Sequence, residues 1–380
     1  MIAGEASGDL HGAKLASALL RIHVGLRLEG VGGRLMKSAG VNLLGDVQDL
    51  GVVGVVEVLG HWGSIWSIYR RIRERMYQEP PDLVVFIDYP DFNLRIARIA
   101  RRAGVPTVYY ISPQVWAWRR GRVKTIAKLI DKMLVIFPFE KEFYETSGVN
   151  CEFVGHPLLD DLGILPHRSI LRSQLGLDPE RPIIGLLPGS RRQEVSRLLP
   201  AMLQAMERLK KRIPQLQLAL AVAPSLDPRV VESIVAAMGA GLEVVLVPGK
   251  ADEVISASDA VVVASGTATL QAAIHETPMV IVYKLSGLTY LLGRILIQTE
   301  HIGLVNLVAG KRIVPELLQS NVTGQAIEEE VYRILTDGVY TEGIREGLSQ
   351  VRAKLGSPGA SSRAAKIILD FLGDRGVRPV

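Results

Sequence analysis

Short apolar runs rich in β-branched residues alternate with amphipathic segments along almost the whole chain. No other feature limits the fold as strongly. A run of this kind bounded by turn residues is the mark of a strand buried on both faces, and such strands occur where helices cover a parallel sheet from both sides. The first series of predicted strands is Leu26–Val31, Leu83–Asp88, Thr107–Ile111, Met133–Phe137 and Glu152–Gly155, with helices starting near Gly8, Trp62, Asp91, Gly121 and Phe139. A second series follows at Ile183–Leu187, Leu216–Val222, Glu243–Val247, Ala260–Ala264 and Met279–Tyr283, with helices after Ser190, Pro228, Ala251, Gly266 and Gly287. Beyond Asn306 the pattern is mostly helical. The segment between the series, His156 to Pro182, is polar, carries Pro157, Pro166, Pro179 and Pro182, and reads as an irregular linker.

The expectation is therefore an α/β protein of two doubly wound domains. A length of 380 residues suits two domains, and 48% apolar with 22% charged residues is enough for two cores. Met1, Ile2 and Ala3 read as the end of a first buried strand, which places Met1 a few residues inside that strand. No stretch approaches the roughly 20 apolar residues of a membrane-spanning helix. Acidic Glu5 and Asp9 argue against a signal peptide at this start. The single cysteine, Cys151, excludes a disulfide framework and a multi-cysteine zinc site; it suggests a reducing compartment and reads as a small buried residue. Lysine and arginine total 44 against 39 acidic residues, a net +5. That excess suits an anionic ligand or surface and is too small to indicate nucleic acid.

In doubly wound sheets ligands sit beyond the carboxyl ends of the strands, so strand ends are where chemistry is expected. Leu187-Pro188-Gly189-Ser190-Arg191 passes from a buried strand into a turn opening a helix. Backbone N–H groups there attract a phosphate and Arg191 adds charge; a capped helix with a solvated arginine pair is the plainer alternative. Ala264-Ser265-Gly266-Thr267-Ala268-Thr269-Leu270-Gln271 is a second such turn, whose small residues allow close approach of a diphosphate or ribose, or simply tight packing. Neither turn is a Walker loop, and Gly30-Val31-Gly32-Gly33 does not complete a dinucleotide fingerprint. Asp88 ends the strand Leu83–Asp88 and is a candidate general base, with Asp91 as the cap of a helix starting at Phe92. Gly4-Glu5-Ala6-Ser7-Gly8-Asp9 is too acidic for phosphate and suits sugar hydroxyls or a helix cap. No histidine cluster or DxD motif suggests a metal, and no cofactor is expected.

Trp62, Ile65, Trp66, Tyr69, Ile72 and Met76 repeat at helical spacing beside Arg70, Arg71 and Arg75, after the apolar run Val52–Leu59. This pattern suits a core helix or one lying in a membrane interface. Trp116 and Trp118, interleaved with arginine, could stack bases, but the basic residues are too few for nucleic acid to lead.

The segments AGEASGD (3–9), GVGG (30–33), GVVEVLG (54–60), IDYPDFN (87–93), SPQVWAWR (112–119), FPFE (137–140), VGHP (154–157), LPGSR (187–191), ASGTATL (264–270) and NLVAG (306–310), in this order, resemble the lipid-A-disaccharide synthase family across essentially the whole chain. These are bacterial glycosyltransferases of lipid A assembly. The resemblance implies a GT-B architecture of two Rossmann-like domains facing a cleft. It divides the chain into an acceptor and membrane-facing domain over 1–165, a UDP-sugar domain over 166–345, and helices over 346–380 that return to the first domain. The implied reaction is inverting: UDP-2,3-diacylglucosamine and 2,3-diacylglucosamine 1-phosphate (lipid X) give a β-1′,6-linked disaccharide 1-phosphate and UDP. Asp88 is then the base. Gly189, Ser190, Arg191, Ser265, Gly266, Thr267, Ala268 and Gln271 hold the UDP, and no metal is needed. Glu5, Ser7, Gly8, Asp9 and Asn306 serve the acceptor or the cleft, and Trp62, Ile65, Trp66, Tyr69 and Ile72 meet acyl chains or membrane.

The implied location is the cytoplasmic face of the inner membrane, as a peripheral protein, with a second copy of the chain as a further candidate partner. Gln271 departs from the family, which carries a glutamate suited to the ribose diol, so an altered ribose contact is expected. A UDP-sugar 2-epimerase of the same fold and a non-catalytic lipid or nucleic-acid binder remain as alternatives.

Overall fold

A computed structural model of the protein describes residues 1–47, 55–118, 120–161, 163, 165–239, 241–285 and 301–376, with the side chains of 55–62, 118 and 120 outside that description. The expectations for the Trp62 side chain, for Val52 to Gly54, for Arg119 and for a helix after Gly287 lie outside the described residues. The chain divides into two compact units, one of Met1–Asp161 with Leu355–Val380 and one of Leu162–Lys354.

The first unit is built on seven parallel strands: β1 (Ile2–Ala3), β2 (Glu29–Gly32), β3 (Asn42–Asp46), β4 (Val84–Ile87), β5 (Thr107–Tyr110), β6 (Lys132–Val135) and β7 (Cys151–Phe153), in the order β3-β2-β1-β4-β5-β6-β7. Ile2 is opposite Val31 on one side and Phe86 on the other, so the strand order reverses at β1 and β4, the place where such sheets bind ligands. Val84, Val85, Phe86 and Ile87 are all buried, as are Val108, Tyr109 and Tyr110 of β5, which is why these runs carry no polar alternation. Each such apolar side chain contributes roughly 1.5–3 kcal/mol on burial.

The helices of this unit are α1 (Ala6–Ile22), α2 (Arg34–Ser38), α3 (Val55–Gln78), α4 (Pro90–Arg102), α5 (Val115–Trp118), α6 (Val123–Leu129), α7 (Pro138–Glu145) and α8 (Leu158–Asp161). The final helix, Ala360–Gly373, packs on α1. Asp160 fastens its start by accepting the backbone N–H groups of Gly359, Ala360 and Ser361. That is a side-chain cap supplied from 200 residues away. Cys151 on β7 is buried, and burial pushes its thiol up to about 12.

The second unit has six parallel strands, β8 (Ile183–Leu187), β9 (Gln217–Val222), β10 (Val244–Pro248), β11 (Ala260–Ala264), β12 (Met279–Tyr283) and β13 (Glu316–Leu318), in the order β10-β9-β8-β11-β12-β13. Here the order reverses between β8 and β11. Its helices include α9 (Arg168–Gln174), α10 (Arg192–Arg212), α11 (Pro228–Met238), α12 (Ala251–Ala257) and α13 (Thr267–Ile274), then Leu304–Ala309, Gly324–Thr336 and Gly338–Lys354.

Several expectations need correction. The linker is not irregular throughout, because it contains α8 and α9. Buried Arg172 on α9 donates to Ala257 O and to Asp259, whose carboxylate also takes Ile183 N at the start of β8. β3 and β13 were not expected. Both are edge strands, and three-residue β13 interrupts a region read as helical. Asp91 is not a cap: α4 starts at Pro90 behind Tyr89, and Asp91 pairs with Arg122 at 2.8 Å. The apolar face of α3 also divides. Ile68, Ile72 and Met76 are in the core, Ile65 and Tyr69 are partly buried against it, and Trp66 is 61% exposed and stacked on Tyr69. Ile72, at 3% exposure, belongs to the core side of this helix.

Candidate active site

In the first unit the site forms around the end of β4. Asp88 and Tyr89 are consecutive non-glycine residues with left-handed backbone, at φ 46° and 49°. Such a conformation costs on the order of 1–2 kcal/mol per residue, and Tyr89 also precedes Pro90, which disfavours compact backbone at that position. The strain has visible supports. Asp88 O accepts the Tyr109 hydroxyl at 2.5 Å and Asn93 Nδ2 at 2.6 Å. The Tyr89 ring lies over Gly4, where an added Cβ would come within 2.0 Å of Cδ1. Only glycine fits there, so the segments AGEASGD and IDYPDFN are interlocked.

Burial raises the Asp88 carboxyl above the ordinary range and the charge of Glu5 raises it further, partly offset by a hydrogen bond from the Tyr89 backbone. A carboxylate with raised pKa at a strand's carboxyl end is suited to take a proton from a hydroxyl. Glu5 and Ser7, at the start of α1, are exposed, while Gly8 is buried against Ala3. Asp9 has a different task from its neighbours. Its buried carboxylate accepts N–H from Gly33, Leu35 and Met36 at 2.7, 3.1 and 3.0 Å, capping α2.

Elsewhere in the same unit, buried Glu140 joins two further motifs. Its Oε1 accepts Ser112 Oγ at 2.7 Å and Trp116 Nε1 at 3.0 Å, and its Oε2 accepts the N–H groups of Ile136 and Phe137. Burial pushes Glu140 up to about 7 against those bonds. Trp116 is buried at 5% exposure and presents no stacking face to a base.

The second unit supplies a cavity of about 410 Å³ at the carboxyl ends of β8, β9 and β11. Gly189, Ser190, Arg191, Ser265, Gly266, Thr267, Ala268 and Gln271 all line it. Two glycines shape its floor. Gly189 has φ 111°, and a Cβ there would lie 2.6 Å from Glu194 Oε2; Gly266 has φ 156° with open space in front of it. Both are conformations that side chains avoid, and both expose backbone at a helix start. Arg191 is 76% exposed and bonded to Glu194 at 3.2 Å. Ser265 Oγ donates to Ile302 O. Gln271 Nε2 donates to both carboxylate oxygens of Asp252, at 3.1 and 3.3 Å, and His275 Nε2 is 3.2 Å from Asp252 Oδ1. With its amide nitrogen held by Asp252, Gln271 keeps Oε1 as an acceptor.

Asn306 lies elsewhere in this unit, fully buried. It donates to Val314 O and Glu316 Oε1 and accepts from Ile313 N and Val314 N. Glu316 in turn takes the N–H groups of Ile302 and Gly303 at the start of the helix Leu304–Ala309. Asn306 therefore shapes the loop leading to β13. Tyr109, Asn93, Glu140 and Asp252 carry much of the local geometry, and sequence reasoning assigned a role to none of them. The one signal was that Asn93 and Glu140 close the motifs IDYPDFN and FPFE. Among the described residues no cluster of metal-ligating side chains occurs.

The family model described as lipid-A-disaccharide synthetase matches residues 1–369. The chain belongs to that family. The lipid-A-disaccharide synthase of Geobacter metallireducens is 48% identical over 99% of this chain and 97% of its own length, and that of Myxococcus xanthus 43% over 98% and 97%. Membership makes the chain a glycosyltransferase of lipid A disaccharide synthesis. Among solved structures, a putative UDP-N-acetylglucosamine 2-epimerase from Listeria monocytogenes aligns with TM-score 0.66 at 14% identity over 98% of this chain and 96% of its own. The calicheamicin glycosyltransferase CalG4 aligns with TM-score 0.63 at 19% identity over 99% and 97%. At such identities the likeness shows the fold alone, that of GT-B proteins with two Rossmann-like domains. The epimerase likeness therefore carries no activity, and the family match sets the class as transferase.

Proposed function

We propose that this family member condenses UDP-2,3-diacylglucosamine with lipid X, giving the β-1′,6-linked disaccharide 1-phosphate and UDP with inversion at the anomeric carbon. The observation that carries the reading is Asp88, held in a strained turn at the strand reversal of the first unit with a carboxyl of raised pKa. Asp88 takes the proton of the acceptor 6-hydroxyl, and the oxygen so freed bonds to the anomeric carbon. The bond from that carbon to the diphosphate breaks, and its electron pair leaves with UDP. Charge developing on the diphosphate is met by the helix starts after Ser190 and Gly266 and by Arg191, which exchanges Glu194 for phosphate. The Gln271 Oε1 accepts from the ribose hydroxyls, in place of a glutamate.

Glu5 and Ser7 contact the acceptor sugar. Gly8, Asp9 and Asn306 act through the backbone they pack against or hold. Acyl chains and the membrane surface meet the exposed side of α3. In support, Ile65, Trp66 and Tyr69 line a groove of about 360 Å³ with Phe92, Ile99 and the arginines 95, 98 and 102 of α4, an apolar-and-basic mixture suited to an anionic interface. Among the described residues no helix is long and apolar enough to cross a membrane, and the reading places the chain as a peripheral protein on the cytoplasmic face of the inner membrane.

The test is Asp88→Asn, followed as UDP release that depends on lipid X, with folding checked by circular dichroism. Loss of a general base should lower kcat by about 10²–10⁴-fold. Near-normal turnover would remove Asp88 from the mechanism.

A further inference from the structure

The strained turn at Asp88 has a support that the reaction scheme leaves without a task. Two side chains from different elements converge on one backbone carbonyl. Tyr109 on β5 and Asn93 on α4 both donate to Asp88 O, at 2.5 and 2.6 Å. Asn93 Nδ2 also approaches Ile87 O at 3.3 Å and Ile2 O at 3.4 Å, so the same amide joins the ends of β1 and β4. Both residues are completely buried. Asn93 is held there at a cost, because its Oδ1 is buried without a hydrogen-bond donor among the described residues. An apolar residue would fill that place without the orphaned oxygen, and a buried polar group that stays half-satisfied calls for a reason.

The direction of the constraint supplies one. Aspartate enters the left-handed region more readily than most residues, and the Asp88 carboxyl takes the Tyr89 backbone N–H. Nothing intrinsic to Tyr89 favours a second such conformation directly after it, and strain of this kind persists only where the surroundings enforce it. The orientation of the Asp88 peptide sets where its Cα–Cβ bond points, and two donors on its carbonyl fix that orientation.

We infer that Asn93 and Tyr109 are positioning residues that clamp the Asp88 carbonyl and so aim its carboxylate at the acceptor hydroxyl. This rests on the reading of Asp88 as the base. Neither side chain touches substrate; both act through the peptide of the residue that does. Misaiming a reacting group by an ångström costs up to about a hundredfold in rate, so removing one of two donors should cost turnover and leave binding intact.

The experiment compares Tyr109→Phe, Asn93→Ala and the control Thr107→Val. Thr107 opens β5 at its other end, where its hydroxyl donates to Leu129 O; the control therefore removes a buried hydrogen bond from the same sheet without touching Asp88. With UDP-2,3-diacylglucosamine and lipid X as substrates, Tyr109→Phe and Asn93→Ala should each lower kcat about tenfold or more with both KM values within about twofold. Thr107→Val should lower the melting midpoint comparably and keep kcat. In an Asp88→Asn background the Tyr109→Phe change should cost less than about twofold, since the group being aimed is gone. Full turnover in Tyr109→Phe and Asn93→Ala beside a dead Asp88→Asn enzyme overturns the positioning role alone, as does a loss no larger than the control's at equal destabilisation. A fully active Asp88→Asn enzyme removes the base itself, a separate result. Tyr109→Phe preserves ring and packing, so it decides the matter even if Asn93→Ala fails to fold.

Discussion

Glu5 is exposed at the mouth of α1, yet its charge is felt at Asp88 and reinforces the effect of burial there. Asp88 must be ionised to accept a proton, so the rate should fall as pH drops through its raised pKa. Glu5→Gln removes a like charge and lets that pKa fall, so the acidic limb of the kcat/KM profile should move to lower pH, which a rate–pH titration measures. An unmoved limb would mean that burial alone sets Asp88. At this scale the sequence was informative wherever function depends on local chain geometry. Asp88 ends an apolar run two residues before Pro90, and Gly189 and Gly266 stand where strands turn into helices, so their neighbourhoods could be read from order along the chain. The partners could not. Tyr109 is 21 residues from Asp88 and Asp252 is 19 from Gln271. Asp9, read as a group for the cleft or a cap of its own helix, caps α2 instead, 24 to 27 residues away. Hydrogen bonds across strands leave no periodic trace.

Among the elements, the turn before α5 and the start of α7 depend on one carboxylate. Glu140 satisfies four donors from two segments, and three of them, the Ser112 hydroxyl, the Trp116 indole and the Phe137 amide, bond at 2.7–3.1 Å. Glu140→Ala leaves those donors buried without an acceptor, at about 1–3 kcal/mol each. The expected outcome is a loss of at least about 3 kcal/mol in chemical denaturation; a loss under about 1 kcal/mol would show that water replaces the carboxylate. Strands β4, β5, β8, β9, β11 and β12 were legible because burial on both faces confines polar residues to a strand's first position, Thr107 in β5 and Gln217 in β9, and leaves the rest of each run unbroken. β3 and β13 sit at sheet edges, where partial burial admits the Asn42, Gly45, Asp46 and Glu316 that hid them. The stripe on α3 was read as one surface, yet a step of 100° per residue carries Trp66 out of the core line that Ile65, Tyr69, Ile72 and Met76 follow.

For the whole molecule, acid sensitivity should be unequal. His11 and His156, both in the first unit, are lowered to about 4, chiefly by burial. An unfolded histidine binds protons near 6.5, so the stability these groups protect is present above that value and is lost as pH falls towards 4. Glu140 acts in the opposite sense: its pKa near 7 means that protonation on the way down from neutrality favours the folded state. Asp88, whose carboxyl is also raised, acts with Glu140; the two histidines outweigh them, and the first unit should melt several degrees lower at pH 4.5 than at pH 7, by calorimetry. His156→Asn should flatten that dependence. The two-series pattern announced two sheets, whereas the point at which the chain re-enters the first unit, near Leu355, falls inside a helical stretch with no change of composition to mark it. It is set by Asp160 and the helix start it caps, a pairing of residues too distant for any local signal.

Cys151 has a practical consequence. A thiol that is buried and scarcely ionised at neutral pH reacts slowly with maleimides and iodoacetamides. It is also the chain's only one. The unaltered protein is thus already a silent background for spectroscopic labelling. A cysteine introduced at an exposed position of each unit would accept a spin label or fluorophore selectively, and distances between the two probes could be followed through turnover with no native residue first engineered away.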